Sequence, residues 1–496
     1  MPSDFEKTHA RLVARATRAV RRAAPKAAKD PQRPIYHVLP PANWNNDPNG
    51  PLFFNGEYHL FYQHNPFEPW WGNMSWGHVA SPDLVHWRHL PIALVPNPGS
   101  YDKDGIFSGC CVDDDGTPTI IYTGVRPEVQ CLATSDDGML TWRKHPANPV
   151  IPRRPEGYEL HGFRDPFAWR ERGRWHVVIG SGIKEGQRNK GGTALLYRSR
   201  DLLSWDFVGP LCQGDPRTSG HNWECPNFFP IGRDKWCLVV SPHGPVLYWT
   251  GTYRKGRFEP ESGPHRMDLG DTFYAPNCLA DPQGRRIMWG WVPEARPKEQ
   301  CAEAGWSCCM TVPRVLTLRD DLTLGVEPAP ELAALRKDGW HLEDVPIASA
   351  DGAALRGVRG DCLEIQASVD PAKAARVGLK VRRAPGGVRE TEIAFDRRSR
   401  RLEVVRQRAT GTRGVRRETA GGKLALRRGE KLHLRIFLDR SVIEVFANGR
   451  AALTTRVYPS RRDALGVALF AEGGKARVEC LDIWPMETIW QERTRR

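Results

Sequence analysis

Long apolar runs are missing from this chain of 496 residues. No stretch approaches the ~18 consecutive apolar residues of a spanning helix, so no membrane span is expected. CxxC pairs are missing too. The twelve cysteines lie at 110, 111, 131, 212, 225, 237, 278, 301, 308, 309, 362 and 480. Without paired spacing a zinc site is not expected. A chain of this size does not need a disulfide framework, and scattered thiols suit a reducing compartment. The first thirty residues lack the apolar core of a secretory signal. Asp4 and Glu6 argue against an Arg-rich mitochondrial presequence. The expected location is therefore cytoplasmic. Biased composition is absent as well: hydrophobic residues are 40% and charged residues 26%. That excludes a disordered tail protein, a coiled coil and a collagen.

What the chain does have is 18 Trp, 47 Gly and 41 Pro. Aromatics mixed with turn residues point to short strands and tight turns. The length suggests roughly three domains, or two if one is a large all-β domain. The formal charge of +14 raises nucleic acid as a partner. Most of the excess is local, however. Residues 1–33 hold nine Lys/Arg against three acids, and residues 380–417 hold thirteen against four. Neither stretch carries a nucleic-acid motif or interleaved aromatics, so both read as solvated basic surface, with no nucleic-acid partner.

At the N-terminus Ser3-Asp4-Phe5-Glu6 has the form of a capping box. Arg11, Arg15, Arg18 and Arg22 then recur at helical spacing beside Leu12, Ala16, Val20 and Ala23. This predicts a surface helix packed on the main domain and stopped by Pro25.

Five segments then share one design, a strand, a Gly turn and an aromatic-rich strand. They are 50–64, 107–124, 165–182, 225–243 and 275–292, with turns at Gly56, Gly116, Gly173, Gly232 and Gly284. Successive turns are 60, 57, 59 and 52 residues apart. A second repeat follows three hairpins: Ser81 to Trp87, Ser135 to Trp142 and Ser199 to Trp205, each with Asp two residues after Ser. Such periods, with room for four short strands each, suggest β-propeller blades. The prediction is an all-β chain: an N-terminal extension over 1–32, a five-bladed propeller over 33–325, a proline-marked linker over 326–344, and a C-terminal β-sandwich over 345–496. The clearest sandwich strands are 431–438, 442–448 and 452–457, and Asn448-Gly449 is a strong hairpin signal.

One acid stands near the start of each hairpin: Asp47, Asp104, Asp165, Glu224 and Asp271. In a propeller these points converge at one mouth of the central channel. Gathered carboxylates repel one another, so at least one keeps its proton to higher pH. A protonated acid beside an ionised carboxylate is the equipment for glycoside cleavage. Trp44, Trp70, Trp71, Trp76, Phe107, Phe163, Trp223 and Trp306 offer flat surface for a sugar ring. For an isolated Trp, core packing is the favoured alternative. Trp71 and Trp306, beside turn glycines, are expected at the sugar.

Three blocks carry a family resemblance: Trp44-Asn-Asn-Asp47-Pro-Asn-Gly50, Phe163-Arg-Asp165-Pro166 and Trp223-Glu-Cys-Pro226. They resemble signature blocks of glycoside hydrolase family 32, the invertase, levanase and inulinase family of β-fructosidases. Tyr58 to Gln63, Trp71-Gly-Asn73, Phe107-Ser-Gly109, Gly305-Trp-Ser307, Arg435 to Asp439 and Ile443 to Gly449 are similar in the same order. The resemblance runs from about Tyr36 to the C-terminal end. It implies a propeller plus sandwich and a retaining hydrolase releasing fructose from sucrose or related β-D-fructofuranosides. Asp47 matches the nucleophile, Glu224 the general acid/base and Asp165 the transition-state stabiliser. Asn46, Gln63, Trp71, Phe107 and Ser108 would line the fructosyl subsite, with Arg164 beside the acids and Tyr274 and Trp306 as further candidates. The implied mechanism requires no metal and no organic cofactor. The implied partner is a small fructoside or oligosaccharide; no oligomeric state is implied. Asn45 stands where the family usually has Met, and Phe107-Ser-Gly-Cys110 where it has W-S-G-S. Both changes bear on leaving-group preference. A fructosyltransferase, a fructan exohydrolase, an arabinosidase-type glycosidase and a non-catalytic sugar-binding propeller are the competing expectations.

Overall fold

The computed structural model describes residues 3–491 except 233, 349, 351 and 352. The last five residues of the expected sandwich, 492–496, lie outside the described residues. The chain is all-β, a propeller followed by a sandwich, with a helix at its N-terminus. Among the described residues no helix is long and apolar enough to cross a membrane.

The propeller consists of antiparallel meanders. The first runs Asn43–Phe54, Glu57–Asn65, Ser75–Ser81 and Arg88–His89. Meanders of the same kind start at Gly105–Asp114, Arg164–Glu171, Glu224–Gly232 and Tyr274–Ala280. The first strands of successive meanders pack side by side, and Tyr274–Ala280 returns to Asn43–Phe54. Trp306–Ser307 pairs in parallel with Asn43 and Trp44, tying the end of the propeller to its beginning. The hairpin turns follow from the sequence. Asn55-Gly56 and Asp115-Gly116 place two consecutive residues at positive φ, which matches the twist of the flanking strands.

The Ser-x-Asp repeat has a physical cause. Asp83 Oδ1 accepts the backbone N–H groups of Val85 and His86, and Asp201 Oδ1 those of Leu203 and Ser204. Asp137 does the same for Leu140 and Thr141 in the longer copy. Each Asp thus supplies partners for a tight turn that would otherwise leave N–H groups unbonded. The Trp indoles of two copies close the turn, on Leu84 O and Leu202 O, both at 2.7 Å.

Two six-stranded sheets form the sandwich. Ile365, Leu379, Ile436, Leu469 and Ile483 are fully buried in its core. The predicted strands appear as Leu432–Asp439, Val442–Ala447 and Ala451–Arg456. Asn448 and Gly449 both take positive φ at the turn. The stretch before them is not slack. Leu324–Pro328 pairs with Arg314–Leu318, and Trp340–Ile347 is already the edge strand of one sandwich sheet.

Two expectations are corrected. The helix Asp4–Ala27 begins with the predicted capping box but continues through Pro25. Proline this close to the end removes little of the hydrogen-bond ladder. Beyond it, Ala27 is buried and Lys26 Nζ donates to Ala302 O at 2.7 Å, so docking holds the last turn. The basic stretch 380–417 is not simply solvated surface. Lys380, Arg382 and Arg406 are buried; Lys380 meets Glu390, and Arg406 meets Asp271. A buried cation needs such a partner to offset its lost hydration.

Candidate active site

The first strands of the propeller share a local fault that builds the site. Pairing slips between Asn45 and Pro48, between Arg164 and Phe167, between Glu224 and Asn227, and between Tyr274 and Asn277. Each bulge holds a proline: 48, 166, 226 or 276. Proline has no N–H to give a ladder, so it fits where pairing is broken. Asp165, Cys225 and Ala275, each just before its proline, sit at φ 64°, 46° and 44°. Non-glycine residues in that region carry strain, which the surrounding structure must hold in place.

The bulges bring Asp47, Asp165 and Glu224 together. Ser108 Oγ donates to Asp47 Oδ2 at 2.5 Å, and Asn46 Nδ2 to Asp47 Oδ1 at 3.1 Å. Gln63 Nε2 in turn donates to Ser108 Oγ at 2.5 Å. Cys225 links two of the acids: its Sγ lies 3.5 Å from Asp47 Oδ2 and 3.6 Å from Asp165 Oδ2. The Cys225 backbone N–H donates to Asp165 Oδ2 at 3.0 Å. Glu224 is gripped on both oxygens. Arg164 Nη2 donates to Oε1 at 2.8 Å, and the Tyr274 hydroxyl to Oε2 at 2.7 Å.

Burial pushes Asp47 up from the ordinary carboxylate range. Ser108 and Asn46 counter that by bonding to its ionised form, while the Glu224 charge adds to it. Asp165 is pushed up to about 7, mainly by burial. The Arg164 charge pulls it down, and Glu224 and Asp47 push it further up. Of the three acids, burial favours the neutral form most clearly at Asp165. Burial drives the Cys225 thiol well up, so it stays a neutral S–H donor. The Tyr274 hydroxyl is also pushed up, by burial and by the Glu224 charge.

The site shows which predicted residues meet. Asn46, Gln63 and Ser108 are buried beside Asp47. Arg164 and Tyr274 hold Glu224. Trp71 is 58% exposed, its ring edge-on to Phe107 at 6.2 Å, and both stand at the rim. Trp306 is a correction. It has no exposed surface, its indole donates to Asp30 Oδ2 at 2.8 Å, and Arg296 covers its face. A ring so enclosed cannot touch a sugar. Trp76, Phe163 and Trp223 are equally buried and belong to the core.

The convergence of five acids is corrected to three. In the second meander the pairing slip falls between Phe107 and Gly109. The residue there is Ser108, while Asp104 lies ahead of the strand, paired with Lys103 at 2.7 Å. In the fifth, Tyr274 and Ala275 take the position. Asp271 turns to the sandwich, where Thr455 Oγ1 donates to it at 2.8 Å and Arg406 pairs with it.

Sequence reasoning missed Glu128, Cys225 and His243. Glu128 Oε1 accepts from Arg164 Nη1 at 2.6 Å, and Oε2 from the Phe163 N–H at 2.7 Å. His243 Nδ1 is 3.6 Å from Glu224 Oε2. Cys225 stood inside a quoted block next to Glu224. Glu128 and His243 lie on loops with no motif to mark them.

This arrangement pairs one carboxylate held by a hydroxyl and an amide with a second held by a guanidinium and a phenol. It suits double displacement at a glycosidic carbon. A model of the glycosyl hydrolases family 32 N-terminal domain matches residues 37–328, and the family 32 C-terminal model matches 331–485. The sucrose-6-phosphate hydrolase of Zymomonas mobilis subsp. mobilis is 34% identical over 92% of each chain. Among solved structures, fructan 1-exohydrolase IIa of Cichorium intybus superposes with a TM-score of 0.85 at 28% identity, covering 92% of this chain and 98% of that one. The sucrose-6-phosphate hydrolase of Lactobacillus gasseri superposes with a TM-score of 0.81 at 28% identity, covering 95% of this chain and 96% of that one. The chain belongs to glycosyl hydrolase family 32.

Proposed function

We propose that the protein is a retaining β-fructofuranosidase that releases fructose from sucrose and related β-D-fructofuranosides. The observation that carries this is the separate support of two carboxylates at one pocket, Asp47 by Ser108 and Asn46, Glu224 by Arg164 and Tyr274. The ring of first strands supports counting five blades around one channel. Twelve free cysteines support a reducing, cytoplasmic setting.

In this mechanism an Asp47 oxygen attacks C2 of the fructosyl unit as the C2–O bond to the leaving sugar breaks. Glu224 gives its proton to the leaving oxygen. The product of the first step is a fructosyl ester on Asp47. Water then attacks C2 while Glu224 takes its proton, the ester breaks, and fructose leaves with its configuration retained. Asp165 accepts hydrogen bonds from fructosyl hydroxyls as positive charge builds on the ring. Asn46, Gln63, Ser108, Phe107 and Trp71 shape the fructosyl pocket.

Glu224→Gln keeps the shape but has no proton to give or take. It should lower sucrose turnover by roughly 10²–10⁴-fold. Fructose release would be measured with the purified variant, and wild-type-like rates would refute the assignment. NMR of the first product formed should show the β-anomer.

Glu128 bears on the same carboxylate through Arg164, whose guanidinium it shares with Glu224. In Glu128→Gln the guanidinium loses one of its two carboxylate partners and holds Glu224 less firmly, so kcat for sucrose should fall by up to about 10²-fold while KM changes little. A raised KM with kcat unchanged would instead place Glu128 in substrate binding.

A further inference from the structure

The outer face of the sandwich brings together side chains that lie far apart in the chain. Its edge strand Trp340–Ile347 pairs with its last strand Ala476–Pro485, with His341 opposite Asp482 and Glu343 opposite Cys480. Strand alternation puts all four on one face. Trp340, Leu342, Leu481 and Ile483, their neighbours in sequence, pack into the sandwich core. His341 and Glu343 are exposed, and Cys480 and Asp482 are half-buried. Residues directly opposite on antiparallel strands hold their Cβ atoms only about 4.5–5.5 Å apart, close enough to share one ion.

The four side chains already touch. His341 Nδ1 lies 2.7 Å from Asp482 Oδ1, and Nε2 lies 3.1 Å from Glu343 Oε1. Cys480 Sγ donates to Asp482 Oδ2 at 3.3 Å. Both carboxylates make their ion pairs with this one imidazole, which carries at most one positive charge. The cluster therefore favours a further cation. A ligand atom from each of His341, Cys480 and Asp482 lies within 4.8 Å of the other two. Small side-chain rotations bring such atoms to the roughly 2.0–2.3 Å at which zinc is bound. A nitrogen, a sulfur and an oxygen suit a zinc-class ion, whereas magnesium and calcium take oxygen ligands. Glu343 fits a supporting part. A metal-bound imidazole commonly gives its other N–H to a carboxylate, and Nε2 faces one. Cys480 and Asp482 also line a cleft of about 530 Å³ between propeller and sandwich, so an ion can reach them from solvent.

We infer that His341, Cys480 and Asp482 form a site for one zinc-class divalent ion, which fastens the edge strand of the sandwich to its last strand. His341 binds through Nδ1 and keeps its Nε2 proton for Glu343. Cys480 binds as the thiolate, its proton leaving to solvent, and water takes the fourth position. His341 and Asp482 are 141 residues apart, so no local spacing marks the site. None of its residues belongs to the catalytic pocket.

The test uses the full-length protein, stripped with EDTA and desalted, then titrated with Zn²⁺ by calorimetry and with Co²⁺ by absorption. One ion per chain should bind. Cobalt should show a thiolate charge-transfer band with tetrahedral d–d bands, and Zn²⁺ should raise the unfolding midpoint. Cys480→Ser should abolish the charge-transfer band. It should also weaken Zn²⁺ binding by roughly tenfold or more, and so should His341→Ala. Cys212→Ser, which removes a half-buried thiol of the propeller, should bind like the wild type. In EDTA all three variants should unfold near the wild-type midpoint, so a loss of binding is not a loss of fold. A wild type that neither binds Zn²⁺ nor gains stability from it would overturn the inference. So would wild-type binding in Cys480→Ser or His341→Ala, an equal loss in Cys212→Ser, or displacement of Zn²⁺ by equimolar Mg²⁺.

Discussion

Asp47→Asn should reduce kcat/KM for sucrose by roughly 10⁴-fold or more, with no loss of thermal stability. The first half follows from the mechanism. An amide cannot form the fructosyl ester, and no neighbouring group takes over. Asp165 is held by the Cys225 N–H and Glu224 by Arg164 and Tyr274. A 10⁴-fold loss corresponds to about 5.4 kcal/mol of transition-state stabilisation. The second half follows from electrostatics. Burial and the Glu224 charge both disfavour ionised Asp47 in the folded protein. The neutral amide removes that penalty, and Ser108 can still donate to the Asn oxygen. The unfolding midpoint should therefore stay or rise, as is common where a site is arranged for chemistry rather than for stability. Calorimetry with intact sucrose should still show binding. Residual turnover within tenfold of wild type would remove Asp47 from the nucleophile role. A lower midpoint together with lost binding would mean that the variant had disturbed the pocket rather than the chemistry.

The same site shows what residue order can and cannot convey. The turn glycines and the Ser-x-Asp repeat marked the meanders because their cause is local. A left-handed turn favours Gly at 56 and 116, and an exposed turn of N–H groups wants an Asp at 83 and 201. Register is not local. Asp104 and Asp271 looked equivalent to Asp47 when counted from the hairpins. The pairing slips fall later, on Ser108 and at Tyr274, so those side chains take the position instead. Aromatic residues were ambiguous for a different reason. Core and sugar subsite both want flat apolar surface, and only burial separates Trp306 from Trp71. Glu128 was invisible because its role exists only through Arg164, 36 residues away.

The largest expected effect on stability lies outside the pocket, at Arg314. It is fully buried on the last pair of propeller strands. Nη1 donates to Asp268 Oδ2 at 2.8 Å, and Nη2 to Glu444 Oε2 at 2.6 Å and Thr454 Oγ1 at 2.5 Å. Glu444 and Thr454 belong to the sandwich, so one side chain crosses between the two parts of the molecule. Arg314→Met fills similar space but leaves buried Asp268 with no cation, only hydrogen bonds, and Glu444 with His37 alone, 3.1 Å away. Breaking such a network costs about 3–5 kcal/mol, because removing the guanidinium leaves buried negative charge short of its counter-charge. A large drop in the urea midpoint is expected. The double variant Arg314→Met/Glu444→Gln distinguishes orphaned charge from lost packing. The Gln carbonyl can still accept the Val312 N–H that Glu444 Oε1 now accepts at 2.7 Å, while the buried charge that His37 alone faces disappears. Part of the lost stability should therefore return. If the double variant is as unstable as the single, packing and not charge sets the cost. If Arg314→Met unfolds at the wild-type midpoint, the network contributes nothing net, and the contact between propeller and sandwich rests on the apolar surface around Phe437 and Phe446.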